Sequence, residues 1–248
     1  VAGHSKWSNI KHRKGAQDAK RGKLFTKLGK ELTIAAKEAG GDPNFNPRLR
    51  LAIDKAKAAN MPKDNLERAI KKGTGELDGV DYMEIRYEGY GPEGTAFIVE
   101  VVTDNKNRSA SEVRATFSRR NGNLGTDGAV SWMFQRKGVI IVAAEGVDAD
   151  ELMMAALEAG AEDVKEEDGE FTVLTDSADC NTVAEELKKA GYNVTEAEVA
   201  MIPDNKVQIT DLETAKKVMA LYEGLDDLDD VNDVYSNFDI SDELLEQL

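Results

Sequence analysis

The sequence of 248 residues predicts an α+β architecture: an N-terminal helical domain followed by two α/β domains, at least one of them ferredoxin-like, with one inserted into the other. Three observations lead there. Apolar residues recur at helical spacing up to about residue 72, and short strand-like runs dominate afterwards. The segment from about residue 138 to 203 reads β-α-β-β-α-β, the ferredoxin-like order. The pieces flanking it are each too small to bury a core alone, so they are expected to complete one another around an insertion. The expected domains are residues 1–78, residues 79–135 with 204–248, and the inserted residues 136–203.

The elements follow in order. Residues 1–20 lack apolar periodicity and are expected to be extended or mobile until bound. From about Arg21 a helix is expected, because Leu24, Phe25, Leu28, Leu32 and Ala35 share one face. Gly40-Gly41-Asp42-Pro43 ends it. A second helix follows Asn46-Pro47, and Pro62 opens a third that runs to Lys72. Ile85–Tyr90 and Thr95–Val102 read as strands joined by the turn Gly91-Pro92-Glu93-Gly94. A helix follows Arg108, a long glycine-rich loop spans Gly122–Gly128, and Ala129–Phe134 reads as a third strand. The inserted domain supplies Val139–Val142, a helix over Ala149–Ala159, a hairpin around Glu167-Asp168-Gly169, a helix over Thr182–Ala190 and a strand over Val194–Met201. Lys206–Ile209, Leu212–Leu225 and Val231–Phe238 then read as strand, helix and strand.

Charge is distributed unevenly. The formal net charge is −15, yet residues 1–30 hold nine Lys/Arg and one acid, Asp18. Residues 1–72 hold 18 Lys/Arg against 7 Asp/Glu, which leaves 14 against 40 for the remainder. Such a molecule approaches a polyanion with one end. Both histidines and one of the two tryptophans lie in that basic head, an aromatic-cationic mixture suited to phosphate and bases. The candidate nucleic-acid contacts are His4, Lys6, Trp7, Lys11, His12, Arg13, Lys14, Lys20, Arg21, Lys23, Lys27, Arg48 and Arg50, with Lys106, Arg108 and Arg114 as a secondary set. The acidic domains are expected to face basic proteins or to set orientation by repulsion.

Other chemistry finds little material. Cys180 is the single cysteine, which excludes an internal disulfide and a multi-cysteine zinc site. No Walker lysine motif or dinucleotide glycine fingerprint is present, so neither a cofactor nor a metal is expected. No convergent catalytic set is visible, and the chain is read as a non-enzyme. Gly122-Asn123-Leu124-Gly125 mimics a KH-type clamp, with a plain turn as the commoner explanation. The acidic run Asp226-Asp227 with Asp229-Asp230 reads as a solvated face. No apolar run approaches the roughly 18–20 residues of a membrane span. The basic N-terminus has no apolar core behind it, so the cytoplasm is the expected location.

Several stretches carry a family resemblance: Ala2-Gly3-His4-Ser5-Lys6-Trp7, Lys11-His12-Arg13-Lys14, Asp18–Lys23, Asn46-Pro47-Arg48-Leu49-Arg50, Tyr87–Pro92 and Gly122–Gly125. Over essentially the whole chain they resemble the YebC/PmpR family. The resemblance implies a three-domain α/β protein of bacteria and organelles, described as a DNA-binding transcriptional regulator. It also implies kinship with mitochondrial translational activators of cytochrome oxidase. Bacterial relatives are tied to ribosomes translating proline-containing stretches, so structured RNA such as ribosomal RNA stands beside DNA as the implied partner. Lys106 stands where the family usually has Arg, and Glu93 where it usually has Gly.

Overall fold

The computed structural model describes residues 17–167 and 169–248, with side chains from Arg21 onward among the helical residues at the start. The helical unit consists of α1 (Gln17–Ala39), α2 (Pro47–Ala58) and α3 (Lys63–Thr74). The apolar stripe of α1 buries Leu28, Leu32 and Ala35 against Leu49, Ala52, Ala56, Met61 and Leu66. Asn46 caps α2 by accepting from the Leu49 N–H, and Pro47 fills the first turn, where a missing donor costs nothing. Pro62 sits just outside α3, at the cap position. The helices α1 and α3 approach closely at Gly73, where a Cβ would stand 2.2 Å from the Thr33 carbonyl oxygen. There the Thr33 hydroxyl donates to the Ala69 carbonyl at 3.0 Å.

The next unit contains β1 (Met83–Tyr90), β2 (Ala96–Thr103), α4 (Lys106–Arg119) and β3 (Asn123–Leu124). The inserted segment follows as β4 (Phe134–Ala143), α5 (Ala149–Ala159), β5 (Asp163–Glu167), β6 (Glu170–Asp176), α6 (Cys180–Lys189) and β7 (Val194–Pro203). The chain ends in β8 (Val207–Ile209), α7 (Leu212–Asp226), β9 (Val231–Ser236), β10 (Phe238–Ile240) and α8 (Asp242–Leu245). One sheet has the order β3-β1-β2-β9, so the late strand β9 pairs antiparallel with β2 across the insertion. Helices α4 and α7 cover one face of it, over Phe97, Val99, Phe117, Leu221 and Leu225. The other sheet has the order β5-β6-β4-β7, with every pair antiparallel. With α5 and α6 on one face, over Ile140, Leu152, Val173 and Leu187, this is the ferredoxin-like arrangement. Phe134 and Met201 pack against Ala96 and Ile98, joining the two sheets.

The structure departs from the sequence expectation in local detail. The third strand expected over Ala129–Phe134 is instead a tight 3₁₀ turn, Ser131–Met133, followed by the long β4. The buried Glu88 carboxylate takes the N–H groups of Val130 and Ser131, and those of Ala129 and Met133 close local turns onto Thr126 and Val130, so these four are lost to a ladder. The strand expected over Val231–Phe238 breaks at Asn237, whose side-chain oxygen accepts from the Ala96 N–H at 2.8 Å. Beyond that break β10 turns to pair in parallel with β8. Glu93 takes φ +57°, in the left-handed region that favours glycine. No helix among the described residues is long and apolar enough to cross a membrane.

Candidate nucleic-acid interface

Lys23, Lys27 and Lys30 recur on α1 at i, i+4 and i+7, which places the three ammonium groups in one stripe. The stripe meets the acidic run that follows α7. Lys23 Nζ donates to the Asp227 carbonyl at 3.0 Å, and Lys27 Nζ to the carbonyl and carboxylate of Asp226. Lys30 Nζ donates to the Val102 carbonyl at 3.2 Å, the Asp229 carbonyl at 2.9 Å and Asp230 Oδ1 at 2.9 Å. The run read from sequence as a solvated face is therefore a clasp that holds α1. Cations are favoured there because the C-terminal end of α7 carries the negative end of the helix dipole.

Asp230 is the buried end of this clasp. Its Oδ2 accepts from Thr103 Oγ1 at 3.0 Å, Ser109 Oγ at 2.8 Å and Arg108 Nη2 at 2.7 Å. Burial alone would raise its pKa, but the hydrogen bonds from Lys30, Arg108 and Ser109 outweigh that and lower it to about 2.

Arg48 and Arg50 are likewise committed within the molecule. The Arg48 guanidinium meets Glu31 at 2.8 Å, Glu38 at 2.9 Å and Glu84. Burial opposes its charge, yet the bonds to Glu84 and Glu31 raise its pKa above the ordinary value. Arg50 donates to the Pro43 and Asn44 carbonyls at 3.1 and 3.2 Å, bracing the turn before α2. Nearby, Lys55 bonds Glu198 on β7 at 2.9 Å. Burial, reinforced by Glu198, Glu100 and Glu31 against the pull of Lys55, pushes the Asp233 carboxyl up to about 7.

Cations without carboxylate partners lie elsewhere on the helical unit. Asn65, Arg68 and Lys72 recur at i, i+3 and i+7 on α3 and face α1 across a groove of ≈310 Å³. Phe25, Thr26, Gly29 and Thr33 form the α1 wall, and Val80 and Tyr82 line it from the following segment. Arg68, Lys72 and the adjacent Lys71 are exposed, as is Arg21, one turn before Phe25. None of these four is ion-paired among the described residues. The groove thus sets two free cations beside an aromatic ring and three small polar side chains, a combination suited to phosphate with some stacking.

Of the sequence-derived candidates, His4, Lys6, Trp7, Lys11, His12, Arg13 and Lys14 lie outside the described residues, as does the Lys20 side chain. Arg21 is exposed at the start of α1. Lys23, Lys27, Arg48, Arg50 and Arg108 all have partners inside the chain, and Lys106 and Arg114 are exposed on α4. Asn65, Arg68 and Lys72 are not among the sequence-derived candidates. Their shared spacing on α3 was the available signal. Gly122 and Gly125 serve packing: a Cβ on Gly122 would lie 2.8 Å from the Tyr90 carbonyl oxygen, and one on Gly125 would lie 3.0 Å from Ala129 Cβ. Cys180 opens α6 fully buried, and that burial pushes its thiol up to about 11.

Comparison with known proteins agrees over the full length. The chain is 75% identical to a "Probable transcriptional regulatory protein" of Fusobacterium nucleatum over the whole of both chains. It is 58% identical to a protein of the same description from Geobacter sulfurreducens, again over the whole of both. The crystal structure of a conserved hypothetical protein from Aquifex aeolicus superposes with a TM-score of 0.84 at 48% identity, covering 94% of this chain and 96% of that one. The model of the TACO1/YebC N-terminal domain matches residues 5–76, the helical unit, and that of the TACO1/YebC second and third domain matches residues 82–238, the two sheets. With both matched in order and nearly end to end, the chain belongs to the TACO1/YebC family.

Proposed function

We propose that this protein is a non-enzymatic regulator of gene expression that binds nucleic acid through its helical unit. The observation that carries the reading is the α1/α3 groove. Where most cations near α1 are paired, Arg68 and Lys72 remain unpaired among the described residues, beside Phe25. Phosphate contacts supply most of the affinity, and the basic residues that precede α1 in the sequence add to the positive charge of this end. The description of the relatives supports a role in transcription, for which duplex DNA is the natural target. One observation favours the alternative, a ribosome-associated RNA-binding factor that eases stalled synthesis. Asn65, Arg68 and Lys72 lie within a groove rather than on a helix projecting into solvent. That position suits phosphates more than base edges in a major groove.

Salt titration of binding tests the reading, with a duplex DNA and a structured RNA hairpin as probes. The R68A/K72A double variant should weaken binding about tenfold and flatten the dependence of log K on log salt by about 1.5–2. The R48A variant should leave that slope unchanged. A slope for R68A/K72A equal to that of the parent chain would reject the groove. Tighter binding of DNA than of RNA at equal salt supports the transcriptional role, and the reverse supports the translational one.

A further inference from the structure

Trp132 is 72% exposed, yet the backbone beneath it is tightly fixed. Glu88, only 5% exposed, accepts from the N–H groups of Gly128 at 2.7 Å, Val130 at 3.0 Å and Ser131. Burial pushes the Glu88 carboxyl upward, but these bonds outweigh it and hold it below the usual carboxylate range. The Ala129 carbonyl accepts twice, from the Tyr90 hydroxyl and from the Trp132 indole N–H, both at 3.0 Å. Exposed apolar surface on a fixed turn contributes nothing to folding. It loses little entropy on binding, which is the character of a pre-organised contact.

The charge around this turn points to the ligand. Residues 114–136 hold Arg114, Arg119, Arg120 and Arg136 with one acid, Asp127, inside the strongly acidic part of the chain. All four arginines are exposed, and none is ion-paired among the described residues. Arg86 and Arg108, the other two arginines after residue 72, are both paired, with Glu100 and Asp230. The excess carboxylates of this body therefore leave these four unneutralised. The chain passes from α4 on one face of the first sheet, around its edge strand β3, to Val130 on the opposite face. Arg119 and Arg120, which end α4 directly before β3, and Trp132, on the turn that follows β3, thus flank the same edge of the first sheet, while Arg136 lies just beyond on β4. An excess of unpaired positive charge beside an exposed ring, in an otherwise acidic part of the chain, suits stacking with phosphate contact.

We propose that this edge binds single-stranded nucleic acid, with Trp132 stacking on an unpaired base and the arginines meeting flanking phosphates. The proposal rests on the nucleic-acid reading above and adds to the groove a second contact selective for unpaired bases. The test uses the full chain, fluorescence anisotropy, an unstructured 20-nucleotide RNA of mixed sequence and an RNA duplex of equal length. W132A should weaken single-strand binding about tenfold and duplex binding less than twofold, with W132F staying within about threefold of the parent. In a W7F background, Trp132 emission should be quenched by the single strand. R119A/R120A should weaken single-strand binding and reduce its salt slope. Unchanged single-strand affinity in W132A, with R68A/K72A still impaired, would overturn the edge and leave the groove standing, and would make Trp132 a protein contact. Equal losses for both probes in W132A would overturn the stacking. Failure of the parent chain to bind either probe would overturn both readings together.

Discussion

Asp230→Asn isolates the joint between the helical unit and the first sheet. The substitution keeps the shape of the side chain and removes its charge from beneath Lys30 and Arg108. Lys30 and Asp230 have side chains only 9% and 5% exposed, so solvent screens their 2.9 Å pair weakly. The carboxyl is held at about 2 against 3.8 for an unperturbed aspartate. Because the folded value lies below the unfolded one, the stabilisation is complete above about pH 4 and disappears as pH falls towards 2. The difference corresponds to about 2–2.5 kcal/mol at neutral pH. The penalty of leaving a buried ammonium short of its counter-ion carries the full cost of D230N to about 3 kcal/mol. Urea titration of the parent and D230N at pH 7 and pH 3, followed by circular dichroism, measures it. At pH 7 the variant should lose its α1 joint at lower urea, and the gap between the proteins should narrow at pH 3. K30M should show a comparable loss at pH 7. A D230N penalty below about 0.5 kcal/mol at pH 7, or one that does not shrink in acid, would refute the assignment of the clasp as a charge-dependent joint.

Two further outcomes follow from the geometry. Gly73→Ala places a methyl group 2.2 Å from the Thr33 carbonyl oxygen, so α3 must move away from α1. A loss of about 1–3 kcal/mol in thermal or urea unfolding is expected, with weakened binding of nucleic acid because the groove walls separate. Asp233, with its carboxyl pushed up to about 7, behaves oppositely to Asp230. Its folded value exceeds the unfolded one, so it costs stability increasingly from about pH 4 to 7. Asp233→Asn should therefore raise stability at pH 8 by on the order of 1 kcal/mol and change little at pH 4, as read by melting temperature across that range.

Much of the architecture was legible because local pattern and tertiary demand coincide. The apolar stripe of α1 is the stripe that Leu28, Leu32 and Ala35 bury, and the ferredoxin-like order could be counted from periodicity alone. The turn at Ser131–Met133 was not legible, since the signal for a strand there is overruled by one carboxylate, Glu88, about forty residues earlier. The site was less visible still. Arg48 and Arg68 look alike in sequence, both basic and on amphipathic helices. Only the fold sets Glu31, Glu38 and Glu84 around the first and leaves the second unpartnered among the described residues. The acidic run after α7 reads as solvated because the lysines that enter it lie about two hundred residues away. Composition identifies which end of the chain is cationic. Contacts decide which cations remain available.

The clasp also constrains how the protein is made. Lys30 and Asp230 are 200 residues apart, so at roughly 5–20 residues per second the first waits about 10–40 s for the second to be synthesised. The opening helices emerge long before the segment that anchors them, and β2 waits similarly for β9. The inserted sheet, β4 to β7, is complete in sequence before the first sheet can close. The N-terminal helices are seated on the first sheet late, only once the acidic run Asp226–Asp230 has left the exit tunnel.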